Sequence, residues 1–252
     1  MNNAHSIILE AKGLSKRFGG LIAVDDVSIA VQKLGVTSII GPNGAGKSTL
    51  FNLLSGTFLP DKGVVQIDGV DVTRLSPEGR LFSGMARSFQ ITNLFFDLTV
   101  MENLRIASQV LEPRSHLYLP LEKSEIALKR ANELLEEFGL EDSRGQLAGA
   151  LSHGQQRRLE IAVTLATRPK LLLLDEPTQG MSQVDTHETA DLIKRVGLNT
   201  TVLLIEHDVD LVMDLSKTVF VMAQGRKLAE GAPGEVRKNP LVQAAYFGEE
   251  LA

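Results

Sequence analysis

Gly41-Pro42-Asn43-Gly44-Ala45-Gly46-Lys47-Ser48-Thr49 fits the pattern G-x-x-x-x-G-K-[ST] without a mismatch, and the segments on either side suit it. The apolar run Val36-Thr37-Ser38-Ile39-Ile40 leads in as a strand, and Ser48-Thr49-Leu50-Phe51-Asn52-Leu53-Leu54 leads out as a helix. Strand, glycine-rich loop and helix in that order form a cradle for nucleotide phosphates. Gly41, Gly44 and Gly46 allow backbone conformations closed to residues with a Cβ, so amide N–H groups converge on phosphate oxygens. The helix that follows directs its positive N-terminal end at the same anion. Lys47 supplies a point charge for the terminal phosphates, and the Ser48 hydroxyl is suited to hold Mg²⁺.

The 252 residues are enough for one large domain, or a domain with a sizeable insertion, around a real core. With 43% hydrophobic and 23% charged residues the composition is that of an ordinary globular protein. A net charge of -5 and an isoelectric point near 5.6 argue against nucleic acid as the main partner, which calls for a basic face. No cysteine is present, so disulfides and thiolate metal sites are excluded and a reducing compartment fits. Met1 to Gly13 lack the features of an export signal, and no apolar run approaches the roughly 18 residues of a membrane span. Work at a membrane therefore requires a partner.

Along the chain, Ser6 to Ala11 and Val24 to Val31 read as strands flanking a turn at Phe18-Gly19-Gly20, a small antiparallel start. Val64 to Val70 alternates apolar and polar residues as a half-buried strand does, with turns at Pro60 to Gly63 and Asp68-Gly69. Between Leu98 and about Leu140 the pattern becomes helical. Thr99 precedes Glu102 in a capping-box spacing, and Ile126, Leu128, Leu134, Leu135 and Phe138 mark the apolar face of a helix over 124–138. The proline-bounded stretch Glu112 to Pro120 reads as an exposed loop between these helices. Leu171 to Leu174 and Thr201 to Ile205 are continuous apolar runs, the signature of parallel strands covered on both faces. Thr218 to Met222, Gln224-Gly225 and Lys227 to Ala229 form a terminal hairpin, followed by a short helix to the end.

In parallel sheets ligands sit beyond the carboxyl ends of the strands. Gly41, Asp175, Glu176 and His207 all follow strand ends, so one sheet edge can gather them. Asp175 is placed to hold the Mg²⁺ shell, and Glu176 to orient or deprotonate an attacking water. Phosphoryl transfer needs mainly positioning and charge neutralisation, so few residues suffice. In Leu151-Ser152-His153-Gly154-Gln155-Gln156-Arg157-Arg158-Leu159-Glu160, Ser152 is a good N-cap and Gly154 keeps the helix mouth open to an anion. An ordinary capped helix explains the same spacing.

That stretch resembles the LSGGQ signature of the ATP-binding cassette (ABC) ATPases. The order of phosphate loop, Gln90 after a strand, signature, Asp-Glu pair and His207 matches that family over essentially the whole chain. The resemblance implies an α/β fold: a phosphate-loop (RecA-like), mainly parallel sheet core with an N-terminal antiparallel β subdomain and an inserted α-helical subdomain. Residues 1–90 and 166–252 would make the core of a single domain, and 91–165 the helical part. Two such domains would face head to tail, with Ser152, Gly154 and Gln155 of one completing the ATP site on Gly41 to Thr49 of the other. Phe18 resembles the aromatic that stacks on adenine, though an aromatic packed on a turn reads the same. Gln90 resembles the glutamine that senses Mg²⁺ and the γ-phosphate, and His207 the histidine that reaches that phosphate; alone, the first reads as a surface residue and the second as a locally bonded one. Glu176, His207, Gln90 and Lys47 would be the catalytic set, with Ser48, Gln90 and Asp175 around the metal. Two positions depart from the family pattern: His153 where glycine is usual, and Ser182 where many relatives carry aspartate.

Gln90 to Phe95, Leu98 to Asn103, the Gln155 to Ile161 form of the signature and the ending Asn239 to Glu249 resemble ATPases of branched-chain amino acid importers. The implied function is ATP hydrolysis that powers import of branched-chain or other hydrophobic amino acids. Urea or amide importers, the lipopolysaccharide-export ATPase and soluble non-transport ABC ATPases are the alternatives. The implied partners are transmembrane permease subunits, a second ABC ATPase subunit (the same or a different chain) and, indirectly, a solute-binding protein. The implied location is peripheral, on the cytoplasmic face of the inner or plasma membrane. Leu94-Phe95-Phe96-Asp97-Leu98 is either an exposed docking patch or the core of the insertion.

Overall fold

The computed structural model describes residues 7–88, 94–113 and 124–247. The chain divides into two compact units, the first of residues 1–85, 170–177 and 193–252, the second of 86–169 and 178–192.

The first unit opens with an antiparallel hairpin of two long strands, β1 (Ile7–Phe18) and β2 (Leu21–Gln32), turning at Gly19 and Gly20. With β4 (Lys62–Ile67) and β5 (Val70–Asp71) it makes a four-stranded sheet of order β2-β1-β4-β5. A second sheet is built on β3 (Gly35–Ile40), which pairs in parallel with β8 (Thr201–Ile205) and β9 (Thr218–Ala223); β8 in turn pairs in parallel with β7 (Leu171–Asp175). β10 (Arg226–Gly231) closes one end as an antiparallel hairpin with β9, and β6 (Met85–Arg87) takes the other end.

Side-chain alternation shows why these strands read as continuous apolar runs. Phe220 and Met222 enter a core shared with Ile39 and the first sheet, while Val219 and Val221 enter another shared with Ile40. Both faces are dry, so both parities must be apolar. The larger core also takes Leu50, Phe51, Leu53 and Leu54 from α1 (Lys47–Ser55). The four leucines of β7 have no exposed surface, and each stabilises the unit by on the order of 2 kcal/mol. The smaller core is roofed by α7 (Val209–Leu215) and two short C-terminal helices, α8 (Pro233–Lys238) and α9 (Pro240–Phe247). A single terminal helix was expected; Pro240 splits it, because Asn239 before it is extended (φ -71°, ψ 119°) and α9 restarts with proline in its first position.

In the second unit α3 (Val100–Ser108), α4 (Glu125–Glu137) and α5 (His153–Leu165) pack together. The expected capping box at α3 is present: the Glu102 amide donates to Thr99 Oγ1 (3.2 Å), and the Thr99 amide to Glu102 Oε2 (2.8 Å). On α4 the buried face differs from the expected one. Ala127 and Ala131 lie on it with Leu134, Leu135 and Phe138, while Ile126 is exposed and Leu128 half-buried. Close helix packing selects small residues that a count of large apolar side chains passes over. Leu94 is buried but Phe95 and Phe96 are 56% and 44% exposed, which decides between the two readings of that cluster in favour of a surface patch. Buried Asn103 holds them there, accepting from the Phe95 amide (2.9 Å) and donating to the Phe95 and Thr99 carbonyls (3.0 and 2.9 Å). Most of the loop expected at Glu112 to Pro120 lies outside the described residues.

Candidate functional site

Gly41 leaves β3 and the loop ends at Gly46, which adopts a left-handed conformation (φ 94°) as the residue before α1. Neither position accepts a side chain. A Cβ on Gly41 would lie 2.2 Å from the Met222 carbonyl oxygen, and one on Gly46 2.3 Å from that of Ala23. The loop is thus pressed against β9 on one side and the N-terminal hairpin on the other, with the Gly225 amide donating to the Ala45 carbonyl (3.0 Å). Pro42 is half-buried, Ala45 buried, Asn43, Gly44 and Ser48 exposed, and Thr49 half-buried in the first turn of the helix. α1 has no side-chain cap and no acidic residue in its first turn, so its leading amides and its dipole are left for an anion.

The buried Lys47 ammonium donates to the Gly41 and Pro42 carbonyls at 2.6 and 3.0 Å. Burial holds its pKa below the usual lysine value, and the Glu176 carboxylate offsets part of that. At the far end of α1 the guanidinium of Arg80, on α2 (Pro77–Phe82), is fully buried. It donates to the Leu53 carbonyl at 2.7 Å, to that of Leu54, and to the Thr73 carbonyl at 3.0 Å. Burial lowers its pKa to about 10, and a cation at a helix C-terminus is favourably placed. Sequence reasoning missed Arg80, which looks like a surface residue of a short polar helix.

The register of the parallel strands sets the other side of the site. Ile39 of β3 and Asp175 of β7 both pair with Ile205 of β8, so the three strands end together and the phosphate loop, Glu176 and His207 emerge from one edge. Asp175 is buried and Glu176 half-buried. The Glu176 backbone takes φ 45°, unusual for a residue with a side chain, and its amide donates to the Ile205 carbonyl (3.0 Å). His207 is exposed, next to Glu206, which is fully buried. Glu206 is a second residue that sequence reasoning left without a role; a glutamate directly after a buried strand was the available signal.

Phe18 ends β1 and is 44% exposed. Its ring meets Phe58 edge-on at 5.5 Å, and Lys16 Nζ lies 5.8 Å from its centroid. The hairpin that carries it is the one pressed on Gly46, so an exposed aromatic face accompanies the loop.

Within the second unit, Ser152 and Gln155 form a reciprocal capping box: the Gln155 amide donates to Ser152 Oγ (3.3 Å), and the Ser152 amide to Gln155 Oε1 (3.0 Å). Gly154 is buried against Asp185, whose Oδ1 lies 2.6 Å from where a Cβ would stand. Both departures from the family pattern find a place here. Ser182 caps α6 (Gln183–Gly197), accepting from the Asp185 amide at 3.2 Å and donating to Asp185 Oδ2 at 2.6 Å; an aspartate could accept the first bond but not donate the second. His153 is exposed, its Nε2 3.9 Å from the Cβ position of Gly180. Gln90 lies outside the described residues.

Comparison with known proteins agrees with this assembly. The ABC transporter family matches residues 24–179, and the branched-chain amino acid ATP-binding cassette transporter family matches residues 226–252. The high-affinity branched-chain amino acid transport ATP-binding protein BraF of Pseudomonas aeruginosa is 42% identical over 251 residues, covering 96% of this chain and 98% of its own. The corresponding LivG protein of Escherichia coli strain K12 is 41% identical with the same coverage. The crystal structure of the ADP conformation of MJ1267, an ATP-binding cassette of an ABC transporter, superposes with a TM-score of 0.86 at 34% identity, over 96% of this chain and 99% of that one. A phosphate loop, an Asp-Glu strand end and a histidine gathered on one sheet edge, together with matches of this extent, show that the chain belongs to the ABC transporter family and is one of its ATP-hydrolysing cassettes.

Proposed function

We propose that the chain energises import of branched-chain amino acids as a single cassette, the core and helical parts acting as one domain. It would bind peripherally to permease subunits at the cytoplasmic face of the membrane, close on a second cassette subunit, and serve a solute-binding protein indirectly. Similarity of residues 226–252 to the branched-chain amino acid transporters, and of the whole chain to BraF and LivG, supports the cargo class. No helix among the described residues is long and apolar enough to cross a membrane, so a membrane role needs a docking surface. Exposed Phe95 and Phe96 offer one.

The observation that carries the enzymatic reading is the shared strand end of Ile39, Ile205 and Asp175. In this assignment Phe18 stacks on adenine, the amides of Gly41 to Thr49 and Lys47 hold the phosphates, and Ser48, Asp175 and Gln90 hold Mg²⁺. A buried carboxylate and an exposed hydroxyl suit that ion, which keeps few protein ligands and takes the rest from water and phosphate. When bound, Mg²⁺ neutralises charge on the phosphate oxygens. Glu176 orients and deprotonates the attacking water, His207 donates to the γ-phosphate, and Ser152, Gly154 and Gln155 of the partner subunit's signature helix complete the pocket.

Glu176→Gln keeps the shape of this site and removes the base. ATP binding is expected to stay within about 3-fold of normal while turnover falls about 100-fold or more. The same substitution in the cell should abolish leucine uptake. Near-normal hydrolysis would falsify the role of Glu176, and normal uptake by an inactive cassette would remove the assignment of cargo.

A further inference from the structure

We propose that Asp61 is a positioning residue for Phe18, fixing that ring for the base of a bound nucleotide; the inference rests on the adenine-stacking role given to Phe18 above. The β1–β4 ladder ends with the pair Ser15 and Lys62, short of Phe18. Beyond it Asp61 meets three successive residues. Its amide donates to the Ser15 carbonyl (2.9 Å), its Oδ1 accepts from Lys16 Nζ (2.9 Å) and its Oδ2 accepts from the Arg17 amide (2.7 Å). The carboxylate thus stands in for a further strand residue on that side of β1, while β2 pairs Leu21 with Phe18 on the other. The bonds from Lys16 and the Arg17 amide hold the Asp61 carboxyl below the usual aspartate range. An exposed ion pair contributes little by itself. Here the amide bond beside it and the place to which it sends Lys16 give it a use.

With Lys16 drawn to Asp61, its ammonium stands over the Phe18 ring, 5.8 Å from the centroid and within cation–π range. Phe58 meets the same ring edge-on at 5.5 Å, and its amide donates to the Asn52 carbonyl of α1 (3.0 Å). Phe58 also packs on the larger core. Residues 56–61 therefore tie the ring to the helix: α1 offers its first turn to the phosphates, and the segment after its last turn holds the aromatic assigned to the base. Past Phe18 the turn is open, since a Cβ on Gly19 or Gly20 would meet nothing within 4 Å among the described residues. The hold on the ring comes from the side of Phe58 and Asp61. An aromatic fixed in advance receives a base without the entropy cost of ordering it on binding.

ADP tests the adenine end of the site without turnover, by calorimetry on the full chain. Phe18→Ala should weaken ADP binding about 10-fold and Asp61→Ala about 5-fold. In the Phe18→Ala background Asp61→Ala should cost less than about 2-fold further. The chain has no tryptophan, so Phe18→Trp places a single indole at the stacking position. Saturating ADP should quench its emission, and adding Asp61→Ala should cut that quench by about half, because the ring is no longer held for the base. Unchanged affinity in Asp61→Ala, an equal loss of affinity without the Phe18 ring, or an undiminished quench overturns the proposal. Where Asp61→Ala does not fold, Asp61→Asn leaves one acceptor oxygen in place of two and no charge, and an undiminished quench there counts equally against it. Full ADP affinity in Phe18→Ala, or no quench in Phe18→Trp, instead overturns the stacking role of Phe18 itself, a result distinct from independence of the two residues.

Discussion

Two helices in this chain begin where a phosphate is expected, and they begin differently. α1 starts from Gly46 in a left-handed conformation, with no side-chain cap and a lysine in first position. α5 starts from Ser152 in an extended conformation (φ -62°, ψ 159°), closed by a complete capping box with Gln155. In the first, the leading amides have no partner from a capping side chain; in the second, the Gln155 amide is committed within the helix. The glycines differ too. Gly46 is pressed on a backbone carbonyl that cannot move away, Gly154 on the tip of a carboxylate that can. α1 is therefore open to an anion, whereas α5 is a helix that closes its own end. The proposed site, divided between two subunits, calls for that asymmetry: one half would bind ATP alone, and the other would stay folded while apart from it.

The largest effect should come from Gly46→Ala. Its Cβ would stand 2.3 Å from the Ala23 oxygen at φ 94°, so both hairpin and loop must shift. Strain of this kind costs on the order of 3 kcal/mol, read in denaturant unfolding, and ATP binding should weaken at least about 100-fold. Retained affinity would show that the loop does not depend on this close approach, and would erase the distinction from Gly154.

What was legible in the sequence follows the same division. The phosphate loop and the Asp-Glu strand end depend on neighbours within about ten residues, so their chemistry appears as a contiguous pattern. Arg80 reaches the carbonyls of Leu53 and Leu54, 27 and 26 positions away, and nothing local separates it from a solvated arginine. Glu206 is fully buried, and only the finished sheet decides that burial. The face of α4 was misassigned at Ile126 because hydrophobicity rewards bulk, while packing there accepts Ala127 and Ala131. Asp185 came to notice through its contact with Gly154, 31 positions earlier in the chain.

Ser152→Ala removes half of the capping box, and loss of an N-cap of this type costs about 1 kcal/mol. Stability to denaturant should fall by that amount while ATP affinity of the isolated chain stays unchanged. A parallel fall in affinity would mean that α5 serves the nucleotide of its own chain, against the division of labour between the two helices.

Gly154→Ala should change stability least and discriminate most. Replacing glycine in a first helical turn gains no more than about 0.5 kcal/mol, and pushing Asp185 away from Ser182 gives back a similar amount. The folded chain should thus look unaltered in denaturant, with hydrolysis by the assembled pair of cassettes down about 10-fold or more, because the added methyl occupies the mouth of the helix. Displacement of Asp185 alone can lower the rate as well, since it disturbs the cap of α6. Gly154→Ala combined with Asp185→Ala separates the two causes: with the carboxylate gone the methyl displaces nothing, so a rate still down relative to Asp185→Ala alone places the loss at the helix mouth. Recovery to the rate of Asp185→Ala would instead assign Gly154 to the packing of α6, making its resemblance to a phosphate-facing glycine a coincidence of spacing.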